Sequence, residues 1–555
     1  MMSRRGNTLI FGNLLFNLFL WSASAENIEV ATKTGVVESF EHPLVIGGGV
    51  YVFMGIPYAK PPVGDLRFSK PVPIESWEGK IGGETKPNSC YQTEIHHDQE
   101  VHDLWKLKTP VSEDCLYLNI YVPRNSTLGF GIDNPKSEDL IPVMVFIHGG
   151  KFHYGSSSPD AYDGAVLADA TDVIVVTMNY RLGPLGFLHL NNDDIQGNQG
   201  LMDQQTALRW VKENIVSFGG NPENITLFGE GSGSVCVGLH LMMEESKELF
   251  RHAIMESMSP LFPHSSHNLE EANELKTLLA KKTGCTSDDF SQLLSCLRGV
   301  KAEKLTSATE EIIAEGHEMP FVPTYGPNSM IPKSPIELAQ EGHFNDVVLL
   351  IGTNQDEGSR ALENFLPESR EEISRDDAIA VIQKALYNKK PDTVQKIVDH
   401  YMSNVDPSNT RANLHALRDA LGDYLFMCPN LYFTEYLSES GKLAYYYFLN
   451  FVPKRYHRLE LINQGDEVEF VFGLPFQEVG LQEYASAERD LSLRIMSHFS
   501  TFAEKGNPSL ALNEWPSFSE GWPVYQELNT LTPNFAFIYN HFHCEFWRDI
   551  INEKH

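Results

Sequence analysis

Residues Thr226-Leu-Phe-Gly229-Glu230-Gly231-Ser232-Gly233-Ser234 put a glycine-rich turn between an apolar run and a helical pattern. Strand, tight turn and helix is the setting of a nucleophile elbow, where a hydroxyl or thiol is raised on a strained turn for acyl transfer. A phosphate-binding loop would require the P-loop lysine or a G-x-G-x-x-G spacing, and the stretch has neither. The centre of the turn, Gly231, carries no nucleophile, although Ser232 and Ser234 follow closely. Two further turns follow strand-like runs, His148-Gly149-Gly150-Lys151 and Asp356-Glu357-Gly358-Ser359. Three such turns predict a site at the C-terminal edge of a parallel sheet.

The elements that must carry these turns are visible as apolar runs. Val143–Ile147, Val173–Met178, Ile225–Phe228, Ala253–Met255, Val347–Ile351 and Tyr445–Phe451 read as buried strands. Between the second and third, Gln204–Phe218 has helical spacing, with Ala207, Leu208, Val211 and Ile215 on one stripe. Alternating strands and helices predict an α/β fold with a parallel sheet and crossover helices. From Asn268 to Asp399 and from Asp406 to Leu437 the pattern is mainly helical and polar, with one strand interposed. Neither a repeat nor a linker divides the chain.

Charge and cysteines set the compartment and the partners. With 43 Lys and Arg against 74 Asp and Glu, the net charge of −31 argues against nucleic acid and anionic membranes, and favours cations. Residues 1–25 read as an export signal: Arg4 and Arg5, an apolar run from Leu9 to Trp21, then Ala23-Ser24-Ala25. Residues 26–555 form the mature domain, expected to be secreted and without a membrane anchor. Seven cysteines in an oxidising compartment allow at most three bridges, and the apolar surroundings of Cys236 mark it as the buried free thiol. Asn125 and Asn224 head glycosylation sequons; Asn224 runs straight into a strand and is the poorer acceptor. Nothing suggests a metal or another cofactor.

Several longer motifs resemble the carboxylesterase/cholinesterase family of α/β-hydrolases along the whole mature length. They are Gly55-Ile-Pro-Tyr-Ala-Lys-Pro-Pro-Val-Gly64, Ser112-Glu-Asp-Cys115-Leu-Tyr-Leu-Asn119, His148-Gly-Gly150, Asn179-Tyr-Arg181-Leu-Gly183, Gly197-Asn-Gln-Gly-Leu-Met-Asp203-Gln204 and Phe470-Val-Phe-Gly-Leu-Pro475. The resemblance implies the α/β-hydrolase fold and aligns the family's Gly-Glu-Ser-Ala-Gly motif with Gly229–Gly233. The nucleophile position then falls on Gly231. Sliding the motif by one would put Glu230 where a glycine is needed, and turn the side chain by about 100° around the helix. The family's acid position falls on Glu357 and its base position on Gln464, in Gln464-Gly465-Asp466-Glu467. The nearest upstream histidine is His457. Glycine has no nucleophile and glutamine is no base near pH 7. Without a base to orient, Glu357 reads as an ordinary turn carboxylate.

Other implied features complete the site. The amides of Gly149, Gly150 and Ser232 take the oxyanion-hole position, with Lys151 either filling it or standing in solvent. Trp105, between Cys90 and Cys115, takes the place of the tryptophan that binds quaternary ammonium in cholinesterases, beside Glu230; packing within its own loop is the alternative. The family's disulfides would be Cys90–Cys115, Cys285–Cys296 and Cys428–Cys544. The leading expectation is a secreted, non-catalytic cholinesterase-like protein that binds an unidentified protein or small molecule, with a homodimer, as in the family, one option. The alternatives are a carboxylic-ester hydrolase with a non-standard nucleophile and a soluble carrier of a cationic or hydrophobic ligand.

Overall fold

A computed structural model describes residues 27–551 apart from 94–101, 126–135, 137–138, 193–194, 363–364, 367–370, 387–388, 455–463, 479, 512–513, 532–533 and 539–542. The export segment, His457 and the Ser and Thr of the Asn125 sequon lie outside the described residues. Eleven strands form the main sheet: β1 (Phe40–Pro43), β2 (Gly49–Pro57), β3 (Tyr117–Pro123), β4 (Ile141–Ile147), β5 (Ile174–Met178), β6 (Gly220–Glu230), β7 (His252–Glu256), β8 (Val348–Asn354), β9 (Ala444–Leu449), β10 (Val524–Leu528) and β11 (Asn534–Phe537). Their spatial order is β11-β10-β9-β8-β7-β6-β4-β5-β3-β2-β1. The seven strands from β10 to β5 are mutually parallel, while β3, β2, β1 and β11 pair antiparallel. This is the mixed, mostly parallel sheet expected of the α/β-hydrolase fold.

Each expected strand is present, and the parallel ones are apolar on both faces because helices cover both. Val145, Leu227, Ala253 and Ile351 pack on one face with Leu208, Val211, Val235 and Leu239 of helices Gln199–Asn214 and Ser232–Met242. Phe146, Phe228, Ile254, Leu350 and Tyr445 pack on the other with Leu491, Ile495 and Phe499 of helix Ser486–Lys505 and Val468 of helix Asp466–Val471. Helix Gln199–Asn214 begins five residues before the expected start, because the polar Gln199 and Asp203 are themselves buried.

The three disulfides pair Cys90 with Cys115, Cys285 with Cys296 and Cys428 with Cys544, and Cys236 is free and buried. Asn125 is exposed, whereas Asn224 is half-buried in β6 and its amide donates to the Glu504 carbonyl at 3.2 Å. No helix among the described residues is long and apolar enough to cross a membrane.

Candidate functional site at the sheet edge

Strand β6 ends at Glu230, and Gly231 caps helix Ser232–Met242 with φ +59° and ψ −125°. Glycine alone reaches that region without strain. A methyl group in place of its hydrogen would lie 2.8 Å from Gln464 Nε2, so the empty direction of the turn points at that carboxamide. Methyl groups at Gly229 and Gly233 would strike the Ile147 carbonyl at 2.7 and 2.1 Å. Backbone cannot yield there, so only the register with glycines at 229 and 233 fits the turn. Ser232 Oγ accepts the Phe152 N–H at 3.3 Å, and Ser234 Oγ donates to the Met258 carbonyl. Both hydroxyls are buried and engaged inside the core.

Gln464 stands beside the turn where Gly465 adopts a left-handed conformation and leads into helix Asp466–Val471. Its amide donates to Glu230 Oε1 at 2.9 Å and approaches Met258 Sδ at 3.6 Å. The side chain beside the elbow is therefore a carboxamide, which is no base near pH 7.

What the turn does gather is carboxyl groups. Glu230 pairs in register with Glu256 across β6 and β7. Strand alternation sends both side chains to the face covered by helix Asp466–Val471, from which Glu467 approaches. Glu467 accepts hydrogen bonds from Ser257 Oγ at 2.7 Å and from the Asn354 amide. Glu357 opens helix Glu357–Leu362 and takes the Asn354 backbone N–H at 2.8 Å. It is fully buried. One oxygen of Glu357 and both oxygens of Glu256 have no hydrogen-bond partner among the described residues.

Burial is the largest cause of the upward pKa shift of all four carboxyls. The field of Glu467 is the next cause for Glu230, Glu256 and Glu357. Glu230 is pushed up to about 8, with the Gln464 amide and the Arg360 charge pulling the other way. Glu230 therefore keeps its proton at neutral pH, and an entering cation would have to displace it. Sequence reasoning singled out Glu230 and Glu357 but assigned nothing to Glu256 or Glu467. The signal was there for Glu256: it continues the alternation of Ile254 one residue beyond an apolar run.

The His148–Lys151 turn has no room for side chains at its two glycines. A methyl at Gly149 would meet the Glu230 carbonyl and carboxylate at 2.7 Å, and one at Gly150 the Tyr154 carbonyl at 2.0 Å. The Gly149 N–H is also hydrogen-bonded to the Tyr162 hydroxyl. Lys151 and Phe152 follow at φ +51° and +63°. Lys151 is half-buried, and its charge works against the burial that raises the Glu318 carboxyl. Trp105 is half-buried and meets Tyr162 edge-on at 5.2 Å, while the field of Glu230 reaches the Tyr162 hydroxyl. Trp105, Tyr162 and Glu230 thus follow one another towards the elbow. Among the described residues, no group of three or more His, Cys, Asp or Glu could hold a metal.

The description "Carboxylesterase family" belongs to the family model that matches residues 26–547. The chain is 34% identical to an acetylcholinesterase of Leptinotarsa decemlineata, covering 94% of this chain and 86% of that one. It is 35% identical to a cholinesterase of Mus musculus, covering 95% and 87%, and 33% identical to an acetylcholinesterase of Bungarus fasciatus, covering 91% and 83%. With the sheet order, the elbow register and a match over nearly its whole length, the chain belongs to the carboxylesterase family.

Proposed function

We propose that this chain is an exported, non-catalytic member of its family that acts by binding. One observation carries the reading: the side chain missing at Gly231 would have pointed at Gln464 Nε2, 2.8 Å away. An elbow with glycine at its apex and a carboxamide as its neighbour has neither the nucleophile nor the base that acyl transfer needs. The buried, engaged hydroxyls of Ser232 and Ser234 count against a displaced nucleophile.

Purified protein is expected to hydrolyse short acyl esters no faster than buffer and to take no label from an organophosphate. Saturable hydrolysis with labelling at any serine would overturn the reading. Restoring both positions, Gly231→Ser with Gln464→His, should give more turnover than either change alone, because the members of such a unit act together. Gly231→Ser alone should give little.

The succession of Trp105, Tyr162 and Glu230 favours one second reading, a carrier of a small cationic ligand. An aromatic face with a titratable carboxyl behind it is the chemistry that holds an ammonium group. The binding partner in the leading reading is a protein or small molecule, and mass spectrometry of material co-purifying with the secreted chain would identify it.

A further inference from the structure

We propose that His400 and His543 form a two-histidine site for a divalent transition metal of the zinc type, far in sequence from the elbow. His400 lies near the end of helix Pro391–Met402, and His543 immediately precedes helix Cys544–Ile551, whose first residue is disulfide-bonded to Cys428. His400 Nε2 and His543 Nδ1 are 3.2 Å apart. A tetrahedral metal with bonds of about 2.0–2.1 Å sets two ligand nitrogens roughly 3.3 Å from each other. The nitrogen separation is thus close to that of a chelate, and each ring would have to turn its nitrogen away from its partner and towards the shared ion.

The surroundings orient both rings. His400 lies flat on Phe546, with centroids 4.0 Å apart and planes 5° from parallel, and its edge meets Tyr401 at 4.9 Å. His543 also contacts Tyr401, at 5.6 Å, and the two imidazole planes stand at 83°. Both histidines are exposed, so an ion reaches them directly from solvent. Asp423 accepts the backbone N–H of His543 and the Tyr401 hydroxyl, which ties both residues to one carboxyl.

The chemistry balances without an outside reagent. One of the two nitrogens now carries the shared hydrogen; on binding, that ring releases this proton and takes one at its other nitrogen, so both rings stay neutral. Because no third His, Cys, Asp or Glu among the described residues joins them, water completes the coordination and the ion stays exchangeable. The bound metal would clamp the C-terminal helix to helix Pro391–Met402, beside the long-range disulfide.

The test is a calorimetric titration of the full chain with Zn2+, with Co2+ absorption reporting nitrogen coordination. One saturable equivalent per chain in the micromolar range is expected. Mutation of outer-shell partners alone weakens metal sites about 10–100-fold, so His400→Ala or His543→Ala should weaken this one at least about tenfold. His415→Ala, on helix Thr410–Gly422 and outside the pair, should leave binding unchanged. Zinc should also raise the melting temperature of the parent more than that of either variant, and the zinc-free melting temperatures of the variants report whether they are folded. The proposal fails if the parent binds no tighter than the double variant, or if His415→Ala alone abolishes binding.

Discussion

Two buried charged regions of the molecule are built in opposite ways. Arg181 and Asp203, with side chains 4% and 0% exposed, meet in a bidentate pair at 2.7 Å on each arm. The Arg181 backbone N–H adds a third bond to Asp203, and the remaining guanidinium nitrogen donates to the Ser69 carbonyl at 2.7 Å. Glu230, Glu256, Glu357 and Glu467 are also buried but are all acceptors when ionised, and Glu256 has no hydrogen-bond partner among the described residues. A fully satisfied ion pair is scaffold, holding the Arg181 turn to helix Gln199–Asn214. Unmet acceptors beside an elbow are what a site looks like when it is kept for something other than stability.

If that contrast is right, breaking the satisfied pair should be the costliest change. Asp203→Ala leaves an uncompensated guanidinium in the core and should lose about 3–5 kcal/mol, read by denaturant unfolding. A loss below about 1 kcal/mol would mean that Arg181 relaxes to solvent and that the pair is not scaffold.

The carboxyl cluster should respond in the opposite direction. Glu256→Gln replaces an acceptor with a group that can donate to its neighbours, and should stabilise the fold by about 1–3 kcal/mol at pH 8. The pH dependence follows from the raised native pKa values. A glutamate in the unfolded chain ionises near 4.5, while Glu230 holds its proton to about 8 and Glu256 is also shifted well upward. Across that window the native state binds more protons than the unfolded state, so the cluster's contribution falls as pH rises. The advantage of Glu256→Gln should accordingly be small at pH 4 and grow through pH 8. An advantage that shrinks with rising pH would show that these carboxyls are ionised and paired in the native state.

The sequence made the same division visible only in part. Central strands were legible because a parallel sheet covered on both faces needs unbroken apolar runs, and Val143–Ile147 and Ala253–Met255 are such runs. The elbow register was legible because glycines at 229 and 233 have no substitute where Ile147 presses on the backbone. The acidic cluster was not. Glu467 sits in a motif read for its missing histidine, and Glu256 comes beside Glu230 only through the register of β6 and β7. The start of helix Gln199–Asn214 was missed because buried polar residues such as Asp203 imitate a loop until their partner is known.

The smallest expected effect separates a cluster that merely survives from one that still binds. Glu230 at about 8 is mostly neutral at pH 7, so an ammonium ion drawn towards Trp105 and Tyr162 must first ionise it. Cation binding and proton release are then coupled, and affinity should rise with pH. The gain approaches tenfold between pH 7 and pH 9, or about 1.4 kcal/mol, if one proton leaves per cation bound. A desolvated cation–π contact adds up to about 2 kcal/mol, so affinity of roughly tens of millimolar for tetramethylammonium is expected at pH 7. Tryptophan fluorescence titrations at pH 6, 7, 8 and 9 would read the slope. Trp105→Ala should abolish the signal, and Glu230→Gln should flatten the pH dependence while leaving residual binding. A slope that persists in Glu230→Gln would move the titrating group to Glu467 or Glu357. No saturable signal at tens of millimolar at any pH would make Trp105 a packing residue, and would leave recognition to the outer surface of the protein.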